Sequence, residues 1–175
     1  GMIITDKEEA INKILEQQVV AIFQDSSEYG PRALGNRSLL FDPRNKNGKD
    51  IVNKIKRREW FRPFAGTVLL EHAHDWFDMG TIKESPYMSY AIPVKEEKKK
   101  LIPSITHVDG TCRVQTLTIE QNKNFYELIK LFYSKTNVPI LFNTSFNLGG
   151  EPLVETKEDA LDTLKRSNID YLYLP

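Results

Sequence analysis

The sequence predicts an α/β domain built on an α+β mixed twisted sheet, and three observations carry that expectation. Short apolar runs of strand type alternate along the chain with segments of helical spacing. No internal repeat and no Pro/Gly/Ser-rich linker interrupts them, so residues 1–175 are expected to form a single domain. An apolar content of 40% with 27% charged residues supports an ordinary core and lies far from the composition of disordered chains.

The elements follow in order. Residues 6–17 place Ala10, Ile11, Ile14 and Leu15 at helical spacing, with Thr5 as N-cap and Glu8 completing a capping box. Val19-Val20-Ala21-Ile22-Phe23 reads as a buried strand that stops at the polar residues 24–28. Two glycines and a proline make residues 29–38 an irregular turn before Leu39-Leu40-Phe41. Residues 49–58 read as a helix with Ile51, Val52 and Ile55 inward and Lys54, Arg57 and Arg58 on the other face. Strands are expected at 67–70 and 87–94, with a short helical piece ending at Trp76-Phe77 between them, and the charged run 95–100 suits an exposed turn. Residues 113–119 alternate like a strand, and 122–135 form a helix with Phe125, Leu128, Ile129 and Phe132 on one stripe. A buried strand at 139–142 runs into Asn143-Thr144-Ser145-Phe146-Asn147. Thr156 opens a last helix through Lys165, with Glu158 and Asp159 where the helix dipole favours acids, and 171–174 close as a strand.

The formal net charge is zero, from 24 basic and 24 acidic residues, which argues against a polyanionic partner only if the charge is even. It is uneven: residues 30–66 hold ten Lys and Arg against three Asp and Glu, a local balance of +7 that includes six of the eight arginines. Guanidinium forks match phosphate and carboxylate oxygens two at a time, so this stretch points to an oxyanion ligand unless it is merely a solvated basic face. The acidic remainder disfavours long nucleic acids, which leaves a nucleotide as the better fit than RNA.

Other classes are bounded quickly. No run approaches the ~18 apolar residues of a membrane span, and the start MIITDKEEAINK is unlike a secretory signal, so a cytoplasmic protein without membrane partners is expected. One cysteine, Cys112, excludes an internal disulfide and any Cys-x-x-Cys motif, and reads as a small buried filler. His72 and His74 lack neighbouring ligands, so no protein-held metal site is expected.

Three glycine-containing segments adjoin strands and carry anion-binding side chains: residues 30–44, 107–115 and 143–152. None is a Walker loop or a dinucleotide fingerprint, so motif reading alone reaches a phosphate or nucleotide site. Taken in order, GPRALGNRSLLFDPR (30–44), FRPFAGTVL (61–69), SPYMSYAIPV (85–94), THVDGTCRVQTL (106–117) and LFNTSFNLGGEPLV (141–154) resemble the C-terminal domain of the NodU/CmcH carbamoyltransferases over residues 18–174.

The resemblance implies a YrdC-like fold and the activating half of a carbamoyltransferase: carbamoyl phosphate and ATP are converted to carbamoyl adenylate. In such proteins an N-terminal domain of the actin-like ATPase type passes the carbamoyl group to an acceptor hydroxyl. That domain is absent from these 175 residues, so a separate N-terminal-type chain is the expected partner. Two anionic substrates need fixed cations. Arg32, Arg37, Arg44 and Arg62 are the first candidates, with Lys54 and Arg57 behind them. Ser145 and Asn147 match the Ser-x-Asn element with which YrdC-like proteins hold nucleotide phosphate, and Asn143 precedes them. His107, Asp109 and Arg113 are candidates for carbamoyl phosphate, with Mg²⁺ held mainly through the phosphates. Arg32, Arg37, Arg62, His107 and Asp109 are thus the expected catalytic set.

Plainer readings stand beside these. Arg32 could pair with Glu28, Asp109 could serve its Asp-Gly turn, and Asn143 and Asn147 could bond their own loop. The sequence also departs from the family: Asp25-Ser26 replaces a Gly-Arg pair, Gly66-Thr67 replaces Pro-Ser, and Gly149 stands where a larger residue is common. These departures motivate the alternative of a non-catalytic nucleotide-binding or regulatory module, with an RNA-binding YrdC-like protein as a third reading.

Overall fold

The computed structural model describes residues 2–24, 35–57, 64–87 and 90–175. Within them one mixed, twisted sheet takes in eight strands: β1 (Ile3–Thr5), β2 (Val20–Phe23), β3 (Arg37–Phe41), β4 (Ala65–Leu69), β5 (Tyr90–Pro93), β6 (Thr111–Leu117), β7 (Ile140–Ser145) and β8 (Tyr171–Tyr173). Their spatial order is β1-β8-β2-β3-β7-β4-β6-β5. β8 pairs in parallel with β1 and β2, β4 pairs in parallel with β6, and the other neighbours are antiparallel. Every residue of β2 and β4 is buried, which explains why both read as unbroken apolar or small-residue runs.

Helices α1 (Lys7–Leu15) and α4 (Lys123–Thr136) pack on one another, α1 lying on β8 and α4 on β7 and β4. The α4 stripe Phe125, Leu128, Ile129 and Phe132 is fully buried, each side chain worth roughly 1.5–3 kcal/mol of transfer free energy. Helix α2 (Gly48–Lys56) packs on the 3₁₀ turn Pro103–Ile105. Close approach there requires Gly48, because a Cβ at that position would meet the Ser104 Cβ at 2.6 Å. A four-residue helix α3 (Ala73–Trp76) follows β4, and α5 (Lys157–Lys165) precedes β8. The Thr156 cap of α5 forms the reciprocal capping box with Asp159.

Several expectations need correction. Strand β1 was not foreseen, since three residues are too few to show alternation. Thr5 belongs to that strand opposite Tyr173, and Asp6 caps α1 instead by accepting the Glu9 N–H at 2.8 Å. The charged run at 95–100 enters a 3₁₀ helix, Glu96–Leu101, whose Lys98 ammonium sits 4.5 Å from the centre of the Trp76 ring. β5 covers Tyr90–Pro93, with residues 88–89 of the expected strand outside the described residues, and β6 starts and stops two residues before the expected 113–119. β7 continues through Asn143, Thr144 and Ser145, and the buried Asn143 amide finds acceptors inside the sheet: its Nδ2 donates to Thr67 Oγ1 at 3.0 Å and Gln115 Oε1 at 3.2 Å. On α2 the inward face is Gly48, Val52, Asn53 and Lys56, while Ile51 and Ile55 are only half-buried.

Gly35 adopts φ +88°, and a Cβ there would lie 2.0 Å from Phe125 Cδ2. Gly35→Ala therefore combines left-handed strain with overpacking of the α4 stripe, and a loss of about 2–4 kcal/mol is expected in urea unfolding.

Candidate active site

Strand register gathers the chemistry-bearing segments at one end of the sheet. Ser38 lies opposite Ser145, Ala65 opposite both Asn143 and Arg113, and Ala91 opposite Arg113. The start of β3, the end of β7 and the starts of β4 and β6 therefore share one edge. Phe23, the last residue of β2, pairs with Arg37 there, and the Arg37 guanidinium stacks 5.1 Å from the Phe23 ring centre.

The centre of this edge is Lys56, the last residue of α2, whose side chain is 1% exposed. Its ammonium donates to the Ser145 carbonyl at 2.8 Å, Ser145 Oγ at 3.1 Å, Asn147 Oδ1 at 3.2 Å and Thr144 Oγ1 at 3.3 Å. Ser145 Oγ in turn donates to Asn147 Oδ1 at 2.6 Å, and the Gly149 N–H donates to the Lys56 carbonyl at 2.5 Å. Each of those side-chain and carbonyl acceptors is a neutral oxygen. The cluster thus gathers a cation and a hydroxyl, both donors of the kind phosphate oxygens require, around the accepting carboxamide oxygen of Asn147.

An amide network fixes the residues on both sides of segment 25–34. Gln24 Nε2 donates to the Gly35 carbonyl at 3.2 Å and to Asn122 Oδ1 at 3.1 Å, and Asn124 Nδ2 donates to Gln24 Oε1 at 2.9 Å. Asn122, the N-cap of α4, also donates from Nδ2 to Asn36 Oδ1 at 3.0 Å. The start of α4 is thereby pinned beside the start of β3.

The predicted residues fall into three groups. Arg37, Ser145, Asn147, His107 and Arg113 lie at the shared edge, with Asn143 buried one pleat below it. Arg32 and Arg62, like Arg58, lie outside the described residues. The remainder are placed elsewhere or otherwise engaged. Arg44 follows the far end of β3, where it grips the fully buried Asp42 with two nitrogens at 2.8 and 3.0 Å and covers the Phe132 ring. Lys54 is exposed on the side of α2 away from Lys56. Arg57 sits beyond the helix end at φ 57° and turns its guanidinium to the Arg166 carbonyl at 2.5 Å. Asp109 serves its own turn, accepting from the Thr111 N–H at 3.0 Å and Thr111 Oγ1 at 2.7 Å, which hold its carboxyl below the usual range. Cys112 is fully buried, and burial pushes its thiol up to about 12.

Lys56 was missed by the sequence reading. Its signal was present: Gly48, Val52 and Lys56 repeat at intervals of four, so they share one helix face.

A family model described as Carbamoyltransferase C-terminus matches residues 11–175. The chain belongs to that family. It is 45% identical over 161 residues to the nodulation protein NolNO of Sinorhizobium fredii, covering 91% of this chain and 24% of that protein. It is 38% identical over 146 residues to a 3'-hydroxymethylcephem-O-carbamoyltransferase of Amycolatopsis lactamdurans, covering 81% of this chain and 26% of the relative. The carbamoyltransferase C-terminal domain seen here thus spans about a quarter of the length of these relatives. Its fold is that of the YrdC-like domains. Full-length HypF in a phosphate- and nucleotide-bound form superposes with TM-score 0.68 at 19% identity, over 96% of this chain and 24% of HypF. P. abyssi Sua5 complexed with L-threonine gives 0.66 at 14% identity, over 98% of this chain and 50% of Sua5. No helix among the described residues is long and apolar enough to cross a membrane, and those residues contain no group of three or more His, Cys, Asp or Glu arranged to hold a metal.

His107 is half-buried with Nε2 3.2 Å from the Phe64 carbonyl, and burial lowers its pKa. The unfolded chain then binds the proton more readily, so the His107 contribution to stability is full above about pH 6.5 and is lost as pH falls below that value. Urea unfolding at pH 7.5 and 5.5 should show a larger drop for the natural sequence than for His107→Gln.

Proposed function

We propose that this domain binds ATP and carbamoyl phosphate at the shared sheet edge and forms carbamoyl adenylate. An N-terminal-type carbamoyltransferase domain or chain then passes the carbamoyl group to an acceptor hydroxyl. In the net reaction, carbamoyl phosphate, ATP and one water give carbamoyl adenylate, pyrophosphate and inorganic phosphate. The phosphate is released from carbamoyl phosphate, a carbamate oxygen bonds to the α-phosphorus, and the bond to the β-phosphate oxygen breaks.

The observation that supports this reading best is the Lys56–Ser145–Asn147 cluster beside Arg37. Phosphoryl chemistry asks little covalent work of a protein and much positioning and charge stabilisation. Lys56 and Arg37 supply cations already fixed by their packing, so little reorganisation is needed when charge develops. Ser145 Oγ exchanges its hydrogen bond to Asn147 for one to a phosphate oxygen, while Asn147 Oδ1 keeps orienting the Lys56 ammonium. Mg²⁺ arrives with the nucleotide and is held mainly through its phosphates. The start of β6, with Arg113 and the nearby His107, lies three strand spacings from the start of β3, roughly 14 Å away. One phosphate group cannot bridge that gap, so the edge divides into two anion subsites, and the reading assigns nucleotide to the Lys56 side and carbamoyl phosphate to the His107 side.

Incubation with carbamoyl phosphate, MgATP and labelled pyrophosphate should move label into ATP. Lys56→Met is expected to slow this exchange about 100-fold, and Arg37→Ala to weaken nucleotide or carbamoyl phosphate binding in calorimetry with the fold intact. A folded chain that binds ATP yet shows no exchange would leave only the nucleotide-binding module.

A further inference from the structure

Beyond the substrate-facing groups, a closed circuit of contacts returns to Lys56 from behind. Asn147 Nδ2 donates to the Glu151 carbonyl at 2.7 Å and the Leu148 carbonyl at 3.2 Å. The Glu151 carboxylate accepts from two nitrogens of Arg166, at 2.5 and 3.2 Å. Arg166 Nε also donates to Asp162 one turn earlier on α5, at 3.0 Å. The Arg166 carbonyl accepts from Arg57, the residue that follows Lys56 in the chain. Lys56, Asn147, Glu151, Arg166 and Arg57 therefore form a ring, of which only Lys56 is deeply buried.

The ring matters because the turn it holds, residues 149–152, has little behind it. A pocket of about 440 Å³ opens between residues 151–155 and α5, lined by Glu151, Leu153, Asp159, Asp162 and Arg166. Gly150, at φ +82°, meets no neighbour on the side where a Cβ would stand. Phe146, Leu148 and Val154 anchor the loop in the core, so packing is weak only at the turn between Leu148 and Val154, and the bidentate Glu151–Arg166 pair is the side-chain contact that ties this turn to α5.

We propose that Arg166 is a positioning residue: through Glu151 it fixes the loop on which Asn147 faces Lys56, and so sets the geometry of the nucleotide phosphate subsite. The inference rests on the function proposed above. Arg166 points at Glu151 and Asp162, away from the Lys56 ammonium, and acts on phosphate only through them. An exposed ion pair adds little to global stability, so its removal loosens the loop while leaving the folded domain in place.

The test measures pyrophosphate exchange, MgATP affinity by calorimetry and thermal melting for Arg166→Ala, Glu151→Gln, their double variant and Arg166→Lys. The expected result is a KM for ATP raised about tenfold with kcat nearly unchanged, a melting temperature close to the natural one, and a double variant no weaker than either single one. Arg166→Lys, which keeps one contact to Glu151, should recover part of the affinity. Singles that bind ATP normally while Lys56→Met does not would overturn this role and leave the proposed function standing. Singles whose defects add, or whose melting temperature falls in step with affinity, would reduce Arg166 to a structural residue. Failure of the natural chain to bind MgATP at all would overturn both proposals together.

Discussion

A charged ammonium enclosed by protein is costly unless its hydrogen bonds are met, and the Lys56 site is organised around meeting them. The last turn of α2 must end where β7 ends, and β7 must stay extended through Ser145 so that both its carbonyl and its hydroxyl face the lysine. The loop after β7 must then double back to deliver Asn147. The Gly149 N–H bonded to the Lys56 carbonyl locks that return from the main-chain side. Moving any one of the three elements would break hydrogen bonds to a buried cation, which links the site's geometry to the fold's own stability.

A second network does the same work with neutral groups. The Gln24, Asn122, Asn124 and Asn36 amides join β2, β3 and α4 at the edge that carries Arg37. Carboxamides suit this place because each both donates and accepts, so a chain of them can close without adding charge beside an anion subsite. The amide network thus holds both flanks of segment 25–34 and the cationic network holds the β7 loop, from independent anchors.

Much of this was legible in the sequence. Strands β2, β3, β7 and β8 and helices α4 and α5 carry apolar runs or stripes strong enough to identify, and the capped start of α5 is written in Thr156 and Asp159. Ser145 and Asn147 were readable from motif. Lys56 shares the Gly48–Val52 face yet was passed over, because face-counting sorts cations outward while this helix turns one inward toward Ser145 and Asn147. Arg44 and Arg57 show the converse difficulty. Arginines dense in sequence suggest one shared ligand, yet Arg44 neutralises buried Asp42 and Arg57 caps a neighbouring helix carbonyl. Arginine density does not distinguish such partners, since Arg44 finds its acid two residues away while Arg57 reaches a carbonyl 109 residues away.

The order of strands carries a further consequence. β8 lies between β1 and β2, so the last strand of the chain is the neighbour through which the first joins the sheet. Ile3 and Tyr171 come into register although 168 positions apart in sequence. During synthesis, β1 therefore waits for β8 to emerge before its place exists, and assembly of this half of the sheet is a long-range event. Losing β8 would also strand β1 and expose the edge of β2. The sheet is clasped by its first and last strands, and its cooperativity depends on that pairing.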